Sequence, residues 1–154
     1  MNITIFGVGG IGGYLAGTLG SLLKDPESGL ASLSLVARGE HLKEIKQKGL
    51  QFIDVEGKTH TIQPNLATDN PEELPQADLT LVCVKGYDLT AAVKAIKGKI
   101  APGGAVLPLL NGADIRERVK NELPNTHVYP GTIYISSTIT EPGTVQHMGG
   151  KGVV

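Results

Sequence analysis

NITIFGVGGIG, residues 2–12, sets a short apolar, β-branched run directly against four glycines in six positions. Residues 2–6 read as a buried strand. Residues 7–12 hold too much glycine to be helix or strand, so they read as a tight loop. Beyond them Tyr14, Leu15, Ala16, Leu19, Leu22 and Leu23 recur at helical spacing, and Lys24-Asp25-Pro26 ends that helix. Strand, glycine loop and apolar helix together are the opening unit of an alternating α/β architecture.

The alternation continues outward from this unit. Residues 33–36 (LSLV) read as a strand, and 39–48 as a short helix with Leu42 and Ile45 on one face, closed by Gly49. Residues 50–55 and 60–62 flank Glu56-Gly57-Lys58 as a small hairpin, and Asn70-Pro71-Glu72-Glu73 opens a short helix. Residues 79–84 (LTLVCV) form the most strand-like run. A helix at 89–96, a strand at 105–109 and a charged amphipathic helix at 114–123 follow. Residues 128–135 and 143–148 read as strands on either side of the Glu141-Pro142-Gly143 turn. Strands apolar on both faces and separated by helices predict an α/β fold. It is a Rossmann-type, doubly wound, mostly parallel sheet, with a short antiparallel addition at the C-terminal end. No linker or repeat divides it, so residues 1–154 are expected to form one nucleotide-binding domain.

Composition narrows the function classes. A net charge of −1 gives no basic excess for nucleic acid or an anionic membrane. The apolar runs are too short to span a bilayer, and residues 1–6 show no charged start followed by an apolar signal segment. The single cysteine, Cys83, excludes an internal disulfide and fits a cytoplasmic setting. Cys83 sits in an apolar strand and reads as a core residue. His41, His60, His127 and His147 show no metal-ligand spacing, so no metal site is expected. The charged stretches 40–48 and 116–122 read as solvated helix faces.

The glycine pattern, GxGxxG between a strand and a helix, predicts a dinucleotide site. Gly7 makes the turn off the strand, Gly9 leaves the backbone bare against a pyrophosphate, and Gly12 lets helix and sheet pack closely. The helix N-terminus offers free N–H groups and a positive dipole end. After the second strand, where NAD-preferring sites carry an acid, stands Arg38, whose planar fork suits a 2′-phosphate. Glu40, two positions on, leaves a ribose contact and NAD open. Gly12 and Arg38 are 26 positions apart, against about 20 in the common pattern. The excess falls in the polar segment 24–32 (KDPESGLAS), read as a surface loop. Lys85 and Asn111 each follow a predicted strand, at the carboxyl ends where such sheets bind ligands.

GVGGIGGYLAG, VARGEHLKEIKQKGL, LVCVKGYDL, LLNGAD and GTIYISSTITEPGTVQHMG, in this order, resemble the N-terminal domain of ketopantoate reductases (2-dehydropantoate 2-reductases) over essentially the whole chain. The resemblance implies an NADPH-dependent reduction of a small 2-keto acid, 2-dehydropantoate, on the route to pantothenate and coenzyme A. It implies a pyrophosphate site at Gly7, Val8, Gly9, Gly10, Ile11 and Gly12, and a 2′-phosphate site at Arg38. Lys85 is expected near the cofactor, Asn111 between nicotinamide and substrate, and Ser137 where main chain touches the cofactor. It further implies that the helical substrate domain, which carries the general-acid lysine, is absent. The sequence, ending at 151–154, then stands as a cloned cofactor domain or a truncated gene product. A homodimer of the full-length parent stays open. Two other readings remain beside it: a dinucleotide-sensing module without chemistry, and another β-hydroxyacid-type dehydrogenase.

Overall fold

A computed structural model describes residues 1–150; the last four positions of the expected 1–154 domain lie outside the described residues. In chain order the elements are β1 (Asn2–Phe6), α1 (Gly10–Gly20), β2 (Ser32–Val36), α2 (Gly39–Lys48), β3 (Leu50–Ile53), β4 (Thr59–Ile62), β5 (Leu66–Thr68), β6 (Ala77–Val82), α3 (Leu89–Ala95), β7 (Ile100–Pro108), α4 (Ile115–Glu122), β8 (His127–Val128), β9 (Ser136–Glu141) and β10 (Thr144–Gly149). Short 3-10 turns lie at Ser21–Lys24, Pro26–Ser28 and Pro71–Glu73.

Six strands form one parallel sheet in the order β5-β2-β1-β6-β7-β8. Chain order reverses between β1 and β6, the doubly wound arrangement that the sequence predicts. β1 is central, with Ile5 in register between Leu35 and Leu81. Successive residues of a strand point to opposite faces, and the sheet accordingly builds two cores. Ile3, Ile5, Leu33, Leu35 and Leu81 pack with Leu15 and Ala16 of α1 and Leu42 and Ile45 of α2. Val82, Val106 and Val128 pack with Leu89 and Val93 of α3 and Ile115 and Val119 of α4. The extra length before β2 is taken up by the exposed turns at 21–28, away from the carboxyl ends of the strands.

The C-terminal strands do more than extend this sheet. β9 and β10 pair antiparallel, but β10 also joins β3 in parallel, and β3 pairs with β4. The expected hairpin and the expected C-terminal addition are thus one four-stranded sheet, β4-β3-β10-β9. It lies against a glycine face of α1. A Cβ at Gly10, Gly13, Gly17 or Gly20 would run into the Ser137 backbone, Val145, the Phe52 ring or Ile62 respectively. These spacings of three and four place all four on one side of the helix. Gly17→Leu is therefore expected to destabilise the chain. The helix propensity it gains is about 0.8–1 kcal/mol, whereas overpacking costs about 1–3 kcal/mol. Here the Cβ itself enters the Phe52 ring, so the upper end applies, and a urea midpoint at or above that of the wild type would refute this packing.

One expected strand shortens, and two strands, β5 and β9, are additions to the expected set. The strand expected at 128–135 is only His127–Val128, because Pro130 cannot donate to the ladder and Gly131 is pressed against Leu107 and Leu109. β9, with the polar sequence SSTITE, lacks the apolar alternation that marks a half-buried strand. β5 has only three residues, positioned by Asn65, whose side-chain oxygen accepts from the Leu33 N–H at 2.9 Å. Among the described residues no helix is long and apolar enough to cross a membrane.

Candidate functional site

The carboxyl ends of β1, β2 and β6 open into a cleft of about 450 Å³ at the point where strand order reverses. Its backbone frame is continuous. The Gly7 and Val8 N–H groups donate to the Val36 carbonyl at 3.0 and 3.2 Å, Ala37 N–H to Thr68 at 3.0 Å, and Cys83 N–H to Phe6 at 2.8 Å. These bonds extend the ladder one step past the strands and hold three loops around one opening. Phe6, Val36, Val84, Ala91, Ala92 and Ala95 supply apolar walls.

Gly7 turns off β1 with φ +98°, a value that L side chains rarely adopt. Gly9 caps α1 with φ −90°, and a Cβ there would have no atom within 4 Å. The helix start carries no side-chain cap and no acidic residue in its first turn, so its first N–H groups are free for a ligand. A Cβ at Gly12 would strike the Gly7 carbonyl beneath it. The three glycines therefore do different work: a turn at Gly7, open backbone at Gly9 and close packing at Gly12.

Arg38 stands just before α2 with its guanidinium at the cleft mouth, where Nη2 donates to Asp88 Oδ2 at 3.0 Å. Lys85 lines the same cleft and is exposed. It begins a turn in which the Asp88 N–H donates to the Lys85 carbonyl at 2.9 Å. The cleft thus gathers Gly7, Val8, Gly9, Arg38 and Lys85. Gly10, Ile11, Gly12, Asn111 and Ser137 are not among the residues that line it. Asn111 occupies the exposed loop after β7. The Ser137 hydroxyl donates to the Gly10 carbonyl at 2.5 Å and ties the second sheet to the start of α1. Glu40 is turned to Lys43, 3.2 Å away, and does not line the cleft.

Three further polar residues that the sequence does not mark as site residues line the cleft: His41, Asp69 and Asp88. His41 Nδ1 accepts the Gly143 N–H at 2.9 Å, which leaves the proton of the neutral ring on Nε2, buried without a partner. Burial pushes this imidazole below its usual value, so it is neutral near pH 7. His41 lies in a helix that reads as solvated, and Asp88 is fifty positions from the arginine it meets; neither contact leaves a periodic signal. Alanines at 91, 92 and 95 in LTAAVKA are the one available hint of an open wall. Burial pushes the Cys83 thiol up to about 12, so it is a neutral wall residue and no nucleophile. Among the described residues no group of three or more His, Cys, Asp or Glu is placed to hold a metal ion.

Free helix N–H groups, a bare glycine backbone, a guanidinium and apolar walls suit an anionic ligand with a flat apolar part. The sequence matches the family described as ketopantoate reductase PanE/ApbA over residues 3–154. It is 33% identical over 151 residues to 2-dehydropantoate 2-reductase of Halobacterium salinarum, spanning 97% of this chain and 47% of that protein. Among solved structures it is similar to 2-dehydropantoate 2-reductase from Porphyromonas gingivalis W83, with TM-score 0.86 and 37% identity over 96% of this chain and 51% of the other. It is also similar to D-mandelate dehydrogenase in a ternary complex with NADH and anilino(oxo)acetate, with TM-score 0.80 and 26% identity over 97% and 46%. The chain spans about half the length of these relatives.

Proposed function

The chain belongs to the ketopantoate reductase PanE/ApbA family, and from that premise we propose that it holds NADPH for the reduction of a 2-keto acid, 2-dehydropantoate, to the 2-hydroxy acid. When bound, NADPH supplies the hydride that adds to the keto carbon. Gly7 to Gly9 and the start of α1 receive the pyrophosphate, and Arg38 holds the 2′-phosphate. Lys85, a cation beside the glycine loop, holds negative charge of the cofactor or of the keto acid. Asn111, with both a donor and an acceptor, orients the carbonyl. The proton that completes the alcohol comes from outside these residues. We take the 154 residues as the cofactor half of a two-part active site. The coverage of about half of each relative supports this, as does the exposure of both Lys85 and Asn111.

The observation that carries the NADPH reading is Arg38 at the carboxyl end of β2, guanidinium at the cleft mouth. An acid there would favour an unphosphorylated ribose. The NADH in the D-mandelate dehydrogenase complex keeps NADH as the second reading. Calorimetric titration separates the two. Wild type is expected to bind NADPH more tightly than NADH. Arg38→Ala is expected to lose roughly ten- to hundredfold in NADPH affinity, the value of a charge-assisted phosphate contact, and little for NADH. Equal affinities in the wild type would overturn the assignment.

A further inference from the structure

We propose that Asp88 sets how strongly this cleft favours a ribose 2′-phosphate, by holding the Arg38 guanidinium until a phosphate displaces it. The inference rests on Arg38 being the 2′-phosphate ligand.

Asp88 occupies the cap position of α3, where an aspartate ordinarily accepts an N–H from the first helical turn. It makes no such bond. Its Oδ2 instead accepts from Arg38 Nη2 at 3.0 Å, across the cleft mouth and from a different strand end. The pair is open to water, with side-chain exposures of 82% for Arg38 and 33% for Asp88. Such a pair contributes little to stability, so nothing in the fold prevents its exchange. A dianionic phosphate with three acceptor oxygens is the stronger partner for a guanidinium.

The exchange leaves a charge problem behind. Once the guanidinium turns to a 2′-phosphate, the Asp88 carboxylate has lost its partner and stands beside a second anion. The other carboxylate of the cleft, Asp69, has no ion pair with Arg38. A cofactor with a free 2′-hydroxyl meets no such conflict, because the hydroxyl donates to a carboxylate. Asp88 therefore weakens binding of the phosphorylated cofactor and spares the unphosphorylated one.

Asp88→Asn tests this, since it removes the charge, keeps the shape and breaks no capping bond. The 154-residue chain is titrated with NADPH and with NADH as wild type, Asp88→Asn, Arg38→Ala and the double variant, each checked by thermal unfolding. Asp88→Asn is expected to tighten NADPH binding roughly three- to tenfold and to change NADH by less than about twofold. In the Arg38→Ala background the gain for NADPH should shrink, because no guanidinium remains to be released and none draws the 2′-phosphate toward Asp88. Equal tightening of both cofactors would mean general repulsion of the pyrophosphate and would overturn the inference. So would an undiminished gain without Arg38. Weaker NADPH binding in Asp88→Asn would mean that the carboxylate orients Arg38 for the phosphate, which also overturns it. If the wild type binds NADH as well as NADPH, the Arg38 reading falls first. If the preference for NADPH stands and Asp88→Asn leaves it unchanged, this inference alone falls.

Discussion

Gly9→Val is expected to remove NADPH binding, by at least about a hundredfold, while the chain stays folded. The position is unusual among the glycines of the loop. Its φ of −90° is ordinary for any residue, and a Cβ there would meet no other part of the protein within 4 Å. The fold asks for nothing at this Cβ. Valine is a poorer helix cap than glycine, which limits the stability change to about 1 kcal/mol. A pyrophosphate seated on the loop would meet the branched side chain directly. Calorimetry beside a urea unfolding curve reads both effects. A folded variant that binds NADPH like the wild type would reduce the loop to a turn. Gly12 behaves differently: its Cβ would strike the Gly7 carbonyl, so loss of binding there would not separate fold from site.

The second large effect is on chemistry. The purified chain is expected to bind NADPH and yet to leave its absorbance unchanged when 2-dehydropantoate is added. Orienting a ketone against a hydride donor is worth about 7–11 kcal/mol, and a placed general acid typically adds about 10²–10⁴-fold. In this structure Lys85 and Asn111, the residues proposed to meet the substrate, are both exposed. Water competes with every contact they make. Cys83, the one thiol in the cleft, is held protonated by burial, with a value pushed up to about 12. Its proton is too weakly acidic for this role near pH 7. Turnover by this chain at an enzymatic rate would refute the two-part reading and would make Lys85 the acid.

Much of this molecule is legible in its sequence because the signals are local. A β-branched run followed by GxGxxG specifies β1, the loop and α1 from neighbouring residues alone. Strand and helix periodicity likewise places α2 at 39–48, where the structure has Gly39–Lys48. The parallel sheet follows, since strands that alternate with helices can be joined only by crossovers. Arg38 stands out for the same reason, because its place is counted from a strand end.

What only the tertiary structure decided involves residues far apart in the chain. Gly13, Gly17 and Gly20 look like weak points of a helix until Val145, Phe52 and Ile62 are seen packed where their side chains would be. The second sheet brings residues 50–62 beside 136–149, a pairing with no short-range pattern. Asp88 and His41 enter the site because β6 ends and α2 begins at the same opening as the glycine loop. Local spacing reports which backbone conformation a segment prefers. Which distant surfaces meet depends on the fit of side chains across the whole chain, and an ion pair or a glycine face exists only once those surfaces are in contact.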